Sequence, residues 1–209
     1  MYQTKLSLEH DDGAPRAVVA KHGLVTYEPA FLAPAEAAAL LGELLGEVTW
    51  RQEHLRIHGR AIPFPRLAAW YGDPGALYTY SGIENRPQSW TPALARLRDR
   101  LRAATGAVFN SALLNLYRTG SDSMGWHADD EPELGPQPVI ASVSLGAARR
   151  FELRSRETGE TRRVVLEHGS LLVMSGETQH CWKHQVPKEP TVRAPRINLT
   201  FRTVEVART

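Results

Sequence analysis

The second half of the chain alternates hydrophobic and polar residues with a period of two, which predicts β-strands. From about residue 111 onward the alternating stretches are short, and turns rich in glycine separate them. Six stretches have this character: SALLNLYR, VIASVSLG, RRFELRS, TRRVVLEHG, SLLVMSG and RINLTFRTV. Many short strands in succession are typical of an antiparallel jelly-roll or cupin-like barrel.

The first half contains two stretches with hydrophobic residues at helical spacing. PAEAAALLGELLGEV (34–48) begins with a proline, which suits the first position of a helix. TPALARLRDRLRAATG (91–106) has Thr91 as its expected N-cap and Gly106 as its expected end. One face of this helix carries three leucines, Leu94, Leu97 and Leu101. Helices followed by strands predict an α+β fold, in which a jelly-roll (double-stranded β-helix) core is flanked by N-terminal helices.

Composition indicates one domain. The chain has 209 residues, 42% hydrophobic and 23% charged, and can bury a substantial core. We therefore expect a single domain over residues 1–209. Residues 1–21 are polar and interrupted by proline and glycine, so we expect them to form a flexible N-terminal segment.

The same survey bears on location and partners. There is no long apolar run, the start lacks a signal-peptide pattern, and Cys181 is the only cysteine, which excludes an intrachain disulfide. We expect a monomer without a membrane partner, cytoplasmic, or nuclear if the source is eukaryotic. A net charge of +2 is too small to identify a nucleic-acid partner.

Two of the predicted strands have a polar face. In RINLTFRTV, Ile197, Leu199 and Phe201 share one face, whereas the other carries Arg196, Asn198, Thr200 and Arg202. In SALLNLYR, Asn115 and Tyr117 also share a face. These polar faces either lie in water or line the interior of the barrel. In the second case a guanidinium, an amide and a phenol would line a cavity suited to a small dicarboxylate.

A further cluster of polar residues stands in SMGWHADDEPELG (123–135). If GWHAD is extended, His127 and Asp129 share a face. Together with a later histidine they would form the two-histidine, one-carboxylate triad of non-haem Fe(II) oxygenases. TQHCWKHQVPK offers two histidines for the third position, His180 and His184.

Taken together, these motifs resemble those of the AlkB-type Fe(II)/2-oxoglutarate-dependent dioxygenases, most closely the subgroup that repairs alkylated DNA. The similar segments follow one another from about residue 22 to 204. They are PRLAAWYGD, YTYSG, NLYRTGSDSMGWHADDE, IASVSLGAARRFELR, GSLLVMSG, TQHCWKHQVP and PRINLTFR.

The resemblance implies Fe(II) as the metal, with 2-oxoglutarate and O2 as co-substrates. The metal ligands would be His127, Asp129 and His184, which favours His184 over His180. Five residues would bind 2-oxoglutarate: Asn115, Tyr117, Arg196, Asn198 and Arg202. In this scheme Arg196 pairs with the distal carboxylate of 2-oxoglutarate, and Arg202 lies near the end next to the metal.

The resemblance also implies a site for a nucleic-acid base. Asp130 and Glu131 would face the base, and Tyr78 and Tyr80 would lie along the substrate cleft. In the DNA-repair members the region matching residues 53–62 forms a hairpin that probes the duplex; here it contains Ile57, His58 and Gly59.

The implied activity is oxidative demethylation of N-alkylated bases such as 1-methyladenine and 3-methylcytosine. These bases are cations near neutral pH, so we hypothesise that Asp130 reads the lesion and Glu131 supports it. The alternative is that the two acids only cap the following loop. RNA could replace DNA as the substrate. A non-catalytic cupin-like module would need a broken triad or a missing Arg196, and a zinc hydrolase would not need the Asn115, Tyr117 and Arg196 set.

Overall fold

The structure, a computed structural model, describes residues 14–57, 60–76, 78–80, 83–85 and 87–205. Within these ranges the helices are α1 (Pro34–Glu47), α2 (Pro92–Thr105) and the single turn α3 (Thr178–Cys181). The strands are β1 (Arg16–Val19), β2 (Leu24–Glu28), β3 (His54–Ile57), β4 (Arg60–Pro63), β5 (Leu67–Gly72), β6 (Tyr78–Tyr80), β7 (Ile83–Asn85), β8 (Ser111–Tyr117), β9 (Met124–His127), β10 (Ile140–Gly146), β11 (Arg149–Ser155), β12 (Thr161–Leu166), β13 (Ser170–Ser175), β14 (Trp182–Val186) and β15 (Arg196–Arg202).

Two antiparallel sheets face each other and form the core. The larger has the strand order β1-β2-β13-β10-β15-β8-β5, and the smaller has the order β12-β11-β14-β9. The eight strands from β8 to β15 divide equally between them, which is a jelly-roll arrangement. The two remaining strand pairs, β3–β4 and β6–β7, are separate antiparallel hairpins. The predicted α+β jelly-roll fold is confirmed.

The two long helices cover the outer face of the larger sheet. Thr91 caps α2 by accepting a hydrogen bond from the Leu94 amide, and Gly106 ends the helix with a φ of 72°. Leu94, Leu97 and Leu101 are buried, as their spacing predicts, against apolar residues of β8, β10 and β15. The same packing holds Ile197, Leu199 and Phe201, so the alternate residues of β15 must face the space between the two sheets.

A second apolar cluster fills part of the space between the sheets. Tyr27, Ile140 and Leu172 of the larger sheet meet Phe151 and Leu153 of the smaller one. Every residue of β15 is buried, including the four polar residues on its inner face. The alternative in which this polar face lies in water is therefore excluded.

One sequence expectation needs correction. Residues 16–19, assigned above to a flexible segment, form β1 and pair with β2 at the edge of the larger sheet. The four-residue pattern RAVV is too short to predict a strand from the sequence alone. It forms one because pairing with β2 satisfies its backbone hydrogen-bonding groups. Residues 1–13 lie outside the described residues. Among the helices described, none has the length and apolar character needed to cross a membrane.

Candidate metal centre and adjoining cavities

The two histidines of the expected triad are direct cross-strand neighbours. His184 of β14 lies opposite His127 of β9, and their ring centroids are 4.2 Å apart. Asp129 follows β9 by two residues and is buried beside both rings. The ligand atoms of the three side chains all lie within 4.8 Å of one another. Strand pairing therefore assembles a compact set of two imidazoles and one carboxylate.

Hydrogen bonds orient the ligand atoms of this set. His127 Nδ1 lies 2.8 Å from the carbonyl oxygen of Gly125. A carbonyl can only accept, so Nδ1 carries the proton and the lone pair is on Nε2. His127 Nε2 lies 3.9 Å from Asp129 Oδ1, and His184 Nε2 lies 3.9 Å from Asp129 Oδ2. Both Nε2 atoms thus converge on the carboxylate, as a shared cation requires.

Two neighbours fix Asp129, one through its carboxylate and one through its backbone. Arg202 Nη2 donates to Asp129 Oδ1 over 3.0 Å, and the Asp129 amide donates to Gln179 Oε1 over 2.9 Å. Burial alone would raise the pKa of Asp129, but the charge of Arg202 and the imidazoles of His184 and His127 outweigh it and lower this pKa. Asp129 is therefore ionised at neutral pH, as a metal ligand must be.

Burial also sets the state of the third ligand. Loss of solvent, assisted by the neighbouring His127, lowers the pKa of His184 from 6.5 to about 3, although Asp129 opposes the shift. His184 is therefore neutral at pH 7. A neutral imidazole and an ionised carboxylate are the ligand states that a divalent cation needs. The residues present thus fit Fe(II), which commonly binds two histidines and a carboxylate.

The other candidate histidine points elsewhere. His180 is exposed, and its Nε2 bonds to the carbonyl oxygen of Pro136. The structure therefore brings His184, and not His180, to His127 and Asp129. This agrees with the order of preference that the family resemblance implied.

A polar cavity extends from the trio between the two sheets. It is lined by Asn115, Tyr117, Ser142, Asn198, Thr200 and Arg202, with Phe151 and Met174 on its apolar side. The register places Asn198 opposite Asn115 and Arg196 opposite Tyr117. All five residues expected to bind 2-oxoglutarate are buried and lie on these two adjacent strands.

Arg196 stands just behind the wall of this cavity. Its guanidinium carbon lies 5.2 Å from the Tyr117 ring centroid, and its Nη2 donates to Ser144 Oγ and Asn198 Oδ1. Its Nε and Nη1 are buried and have no hydrogen-bond partner among the described residues. Burial lowers the pKa of Arg196 to about 10, although Tyr117 opposes the shift, so the side chain stays charged. A buried cation with two unmet donors fits an incoming carboxylate.

A second cavity meets the first at the trio. The two cavities share six residues: Leu113, Asn115, Met124, His127, Asp129 and Arg202. The second cavity is also lined by Glu53, Arg66, Trp70 and Glu131. Glu131 contributes a carboxylate whose Oε2 is buried and accepts no hydrogen bond within the described part of the chain. Such an oxygen would favour a cation or a hydrogen-bond donor in the cavity.

Asp130 does not share this position. It is exposed and pairs with Arg156, whose Nη2 lies 2.8 Å from Asp130 Oδ2. The cavity lining includes Glu131 and omits Asp130. The structure thus places Glu131, and not Asp130, in the cavity beside the trio, whereas the hypothesis drawn from the sequence gave the leading role to Asp130. The alternation rule cannot order these two residues because both follow the end of β9.

Five expected substrate residues lie wholly or partly outside the described structure. His58 and Gly59 are not among the described residues. Ile57 belongs to β3, and Tyr78 and Tyr80 belong to β6, but only the backbone is described there. The expected hairpin over residues 53–62 is present as β3–β4. Glu53, at the start of this region, lines the second cavity.

Sequence reasoning missed two residues of the site. Arg66 is buried, and its Nε donates to Asn115 Oδ1 over 2.8 Å. Gln179 is fully buried and holds the Asp129 backbone. Arg66 follows a proline and Gln179 lies in a single turn of helix, so neither belongs to an alternating pattern. The sequence signal that could have found them is that they lie in PRLAAWYGD and TQHCWKHQVP, two of the segments similar to the AlkB-type family.

Comparison with known proteins agrees with this geometry. Residues 24–202 match the model of the 2OG-Fe(II) oxygenase superfamily. The chain is 46% identical over 186 residues to human alpha-ketoglutarate-dependent dioxygenase alkB homolog 3, covering 84% of this chain and 64% of that protein. It is 40% identical over 206 residues to human DNA oxidative demethylase ALKBH2, covering 93% of this chain and 79% of that protein.

A solved structure agrees at the level of the fold. That of OsALKBH1 superposes with a TM-score of 0.62 at 22% identity, over 86% of this chain and 97% of the other. Because identity is low, this likeness concerns the fold alone. The aligned region covers 64% of human alkB homolog 3, so about a third of that protein has no counterpart in the alignment.

Proposed function

Since the chain belongs to the AlkB-type branch of the 2OG-Fe(II) oxygenase superfamily, we propose that it is an oxidative demethylase of N-alkylated bases in DNA. It would use Fe(II), with 2-oxoglutarate and O2 as co-substrates. The products would be the unmodified base, an aldehyde, succinate and CO2. The relatives named DNA oxidative demethylase support DNA as the substrate.

One observation carries this proposal. The His127, Asp129 and His184 trio stands where two adjoining cavities meet. Behind the first is Arg196 with unmet donors, and in the second is Glu131 with an unmet acceptor. An anionic co-substrate and a cationic substrate could therefore reach one metal from two sides.

The protein prepares the metal ligands before the metal binds. Arg202 keeps Asp129 ionised, burial keeps His184 neutral, and Gly125 fixes the tautomer of His127. When bound, Fe(II) supplies the oxidation of the alkyl carbon, coupled to the conversion of 2-oxoglutarate and O2 into succinate and CO2. The bond between the base nitrogen and the hydroxylated carbon would then break, which would release the unmodified base and an aldehyde.

The polar cavity would orient 2-oxoglutarate. Arg196, which packs on the Tyr117 ring and donates to Asn198, would offer its Nε and Nη1 to the distal carboxylate. Asn115 keeps its amide donor for the co-substrate because Arg66 already occupies its Oδ1. Phe151 and Met174 limit the water around these groups.

The second cavity would accept the alkylated base. N1 of adenine and N3 of cytosine are buried in base pairs, so the base must leave the duplex or come from a single strand. The Glu131 carboxylate would then attract the cationic base and accept a hydrogen bond from its exocyclic amine. The β3–β4 hairpin adjoins the mouth of this cavity through Glu53 and could probe the duplex.

We also propose that the protein acts as a monomer and a single domain, in the cytoplasm or, in a eukaryote, the nucleus. RNA is the alternative substrate, because the trio and the polar cavity do not distinguish the two nucleic acids.

The test is a mass-spectrometric demethylation assay. It offers 1-methyladenine and 3-methylcytosine in single-stranded DNA, duplex DNA and RNA, with and without 2-oxoglutarate. We expect loss of the methyl group from DNA that requires 2-oxoglutarate and Fe(II). His184→Ala should be inactive, and His180→Ala serves as the matched control. Faster demethylation of RNA than of DNA would favour the alternative substrate, and no demethylation of any substrate would refute the proposal.

A further inference from the structure

A second cluster of metal-binding side chains lies outside the site described so far. His22, Glu177 and Cys181 bring an imidazole, a carboxylate and a thiol together, with all three ligand atoms within 4.8 Å of one another. His22 and Glu177 are exposed, and Cys181 is partly buried. None of the three contributes to the cavities at the metal trio.

The backbone holds two of these residues on one side of α3. The Cys181 amide donates to the Glu177 carbonyl oxygen over 2.9 Å, so the two are one helical turn apart. Side chains four residues apart on a helix are neighbours. The carboxylate and the thiol therefore meet through local geometry.

The third residue comes from a distant part of the chain. His22 lies in the turn between β1 and β2, and its carbonyl oxygen accepts a hydrogen bond from Trp182 Nε1 over 3.0 Å. Leu24 follows His22 by two residues, and its amide donates a hydrogen bond to Thr178 Oγ1. A Cβ on Gly23 would come within 2.7 Å of the Thr178 backbone, so only glycine lets this turn approach α3 so closely. Contacts at His22 and at the two residues that follow it thus fix this turn against α3.

His22 also has an unusual backbone conformation. Its φ is 54°, the only positive φ of a non-glycine residue in the described part of the chain. Residues other than glycine adopt this region rarely, and such positions are often functional. The turn presents the imidazole to Glu177 and Cys181 from this conformation.

We propose that His22, Glu177 and Cys181 form a second metal site that takes Zn²⁺ or a divalent cation of similar character. Thiolate, imidazole and carboxylate are the ligands that Zn²⁺ prefers, whereas Mg²⁺ and Ca²⁺ prefer oxygen alone. Three protein ligands leave a fourth position for water. The site is chemically distinct from the His127 trio because it alone offers a thiolate.

Metal at this site would stabilise the support of the first one. The helical turn between Glu177 and Cys181 contains Gln179, which holds the Asp129 backbone, and the chain continues directly into the strand that carries His184. A cation that bridges this turn to His22 would resist its unfolding. A metal ion that binds the folded state and not the unfolded state raises the unfolding temperature.

The experiment titrates Co²⁺, a spectroscopic substitute for Zn²⁺, into the full chain after chelation has removed bound metal. We expect an intense near-ultraviolet band from thiolate-to-cobalt charge transfer, which the histidine and aspartate trio cannot produce. The band should persist in His127→Ala, vanish in Cys181→Ser and disappear on addition of Zn²⁺. Absence of the band in the unsubstituted protein with Co²⁺ in excess would overturn the proposal.

His22→Ala tests whether the three ligands act together. Mutation of a residue that only hydrogen-bonds to a metal ligand lowers metal affinity about 10- to 100-fold. Loss of a ligand itself should therefore weaken Co²⁺ binding by roughly 100-fold or more. Unchanged affinity in His22→Ala would mean that Cys181 binds cobalt without the proposed site. Circular dichroism checks that each variant is folded.

Thermal unfolding tests the stabilising role in the His127→Ala background, where the trio is incomplete. Zn²⁺ should raise the unfolding temperature of His127→Ala but not of the double variant His127→Ala, Cys181→Ser. An equal rise in both would place the stabilising zinc elsewhere and overturn this part of the proposal.

Discussion

Replacement of Glu131 by glutamine should weaken activity on cationic lesions far more than on neutral ones. The buried Oε2 of Glu131 accepts no hydrogen bond among the described residues, so its interaction with a bound base would be newly formed. Glu131→Gln keeps the shape of the side chain and removes its charge. A hydrogen bond to a charged group contributes roughly 1.5–3 kcal/mol. At about 1.36 kcal/mol per tenfold, this predicts a loss of roughly 10- to 150-fold in kcat/KM on 1-methyladenine.

Asp130→Asn is the matched control. Asp130 and Arg156 form an exposed pair, with 43% and 37% of their side chains accessible, and do not line the cavity. Exposed pairs of this kind contribute about 0–1 kcal/mol. We therefore expect Asp130→Asn to change kcat/KM by less than about fivefold.

The assay compares kcat/KM on oligonucleotides with 1-methyladenine and with neutral 1-methylguanine. Turnover of 2-oxoglutarate without a nucleic-acid substrate reports whether the metal centre is intact, and it should remain nearly unchanged. Equal losses on the two lesions in Glu131→Gln would refute recognition by charge. A larger loss in Asp130→Asn than in Glu131→Gln would restore the role that the sequence gave to Asp130.

Three other predictions concern the metal trio and the co-substrate cavity. His127→Ala, Asp129→Ala and His184→Ala should each abolish iron binding and activity, whereas His180→Ala should keep most of its iron binding and activity. Circular dichroism checks that each variant is folded, and iron analysis measures the bound metal. Loss of iron in His180→Ala but not in His184→Ala would show that the ligand assignment is wrong. Arg196→Ala should raise the 2-oxoglutarate requirement at least about 100-fold, because breaking a buried charge pair costs roughly 3–5 kcal/mol; unchanged dependence on 2-oxoglutarate would count against the pairing. In the metal-free protein, His184 takes up a proton on unfolding between pH 6.5 and about 3, so the free energy of unfolding should fall as pH decreases through this range, by at most about 1.4 kcal/mol per pH unit. Denaturant titrations from pH 6.5 to about 4.5 should show a weaker pH dependence in His184→Asn; the same slope in both proteins would contradict the low pKa.

The core of the fold could be predicted from the sequence because both faces of its strands are distinctive. On β15, Ile197, Leu199 and Phe201 pack beneath the helices. Asn198, Thr200 and Arg202 line the cavity, so alternation located the strand and its two faces. β1 lacks this advantage: four residues with little contrast between faces become a strand only because β2 offers a partner.

The candidate site was predictable where its residues lie on regular strands. Asn115, Tyr117 and Arg196 follow the alternation of β8 and β15. Past the end of β9 the backbone is irregular, so the opposite directions of Asp130 and Glu131 depend on Arg156 and on the loop that follows. Gln179 acts through contact with a residue 50 positions away, which no local pattern records.

Because His127 lies on β9, bound iron would reduce the local opening of this strand. β9 ends the smaller sheet and pairs only with β14 among the described strands. Edge strands with one neighbour open more readily than central ones, and their amide hydrogens exchange with solvent during the opening. A cation held between His127 and His184 would clamp the two strands together, since opening would separate its ligands. The exchange rate of the amides in residues 124–127 would then depend on iron concentration, while the amides of β15 in the middle of the larger sheet would exchange independently of it.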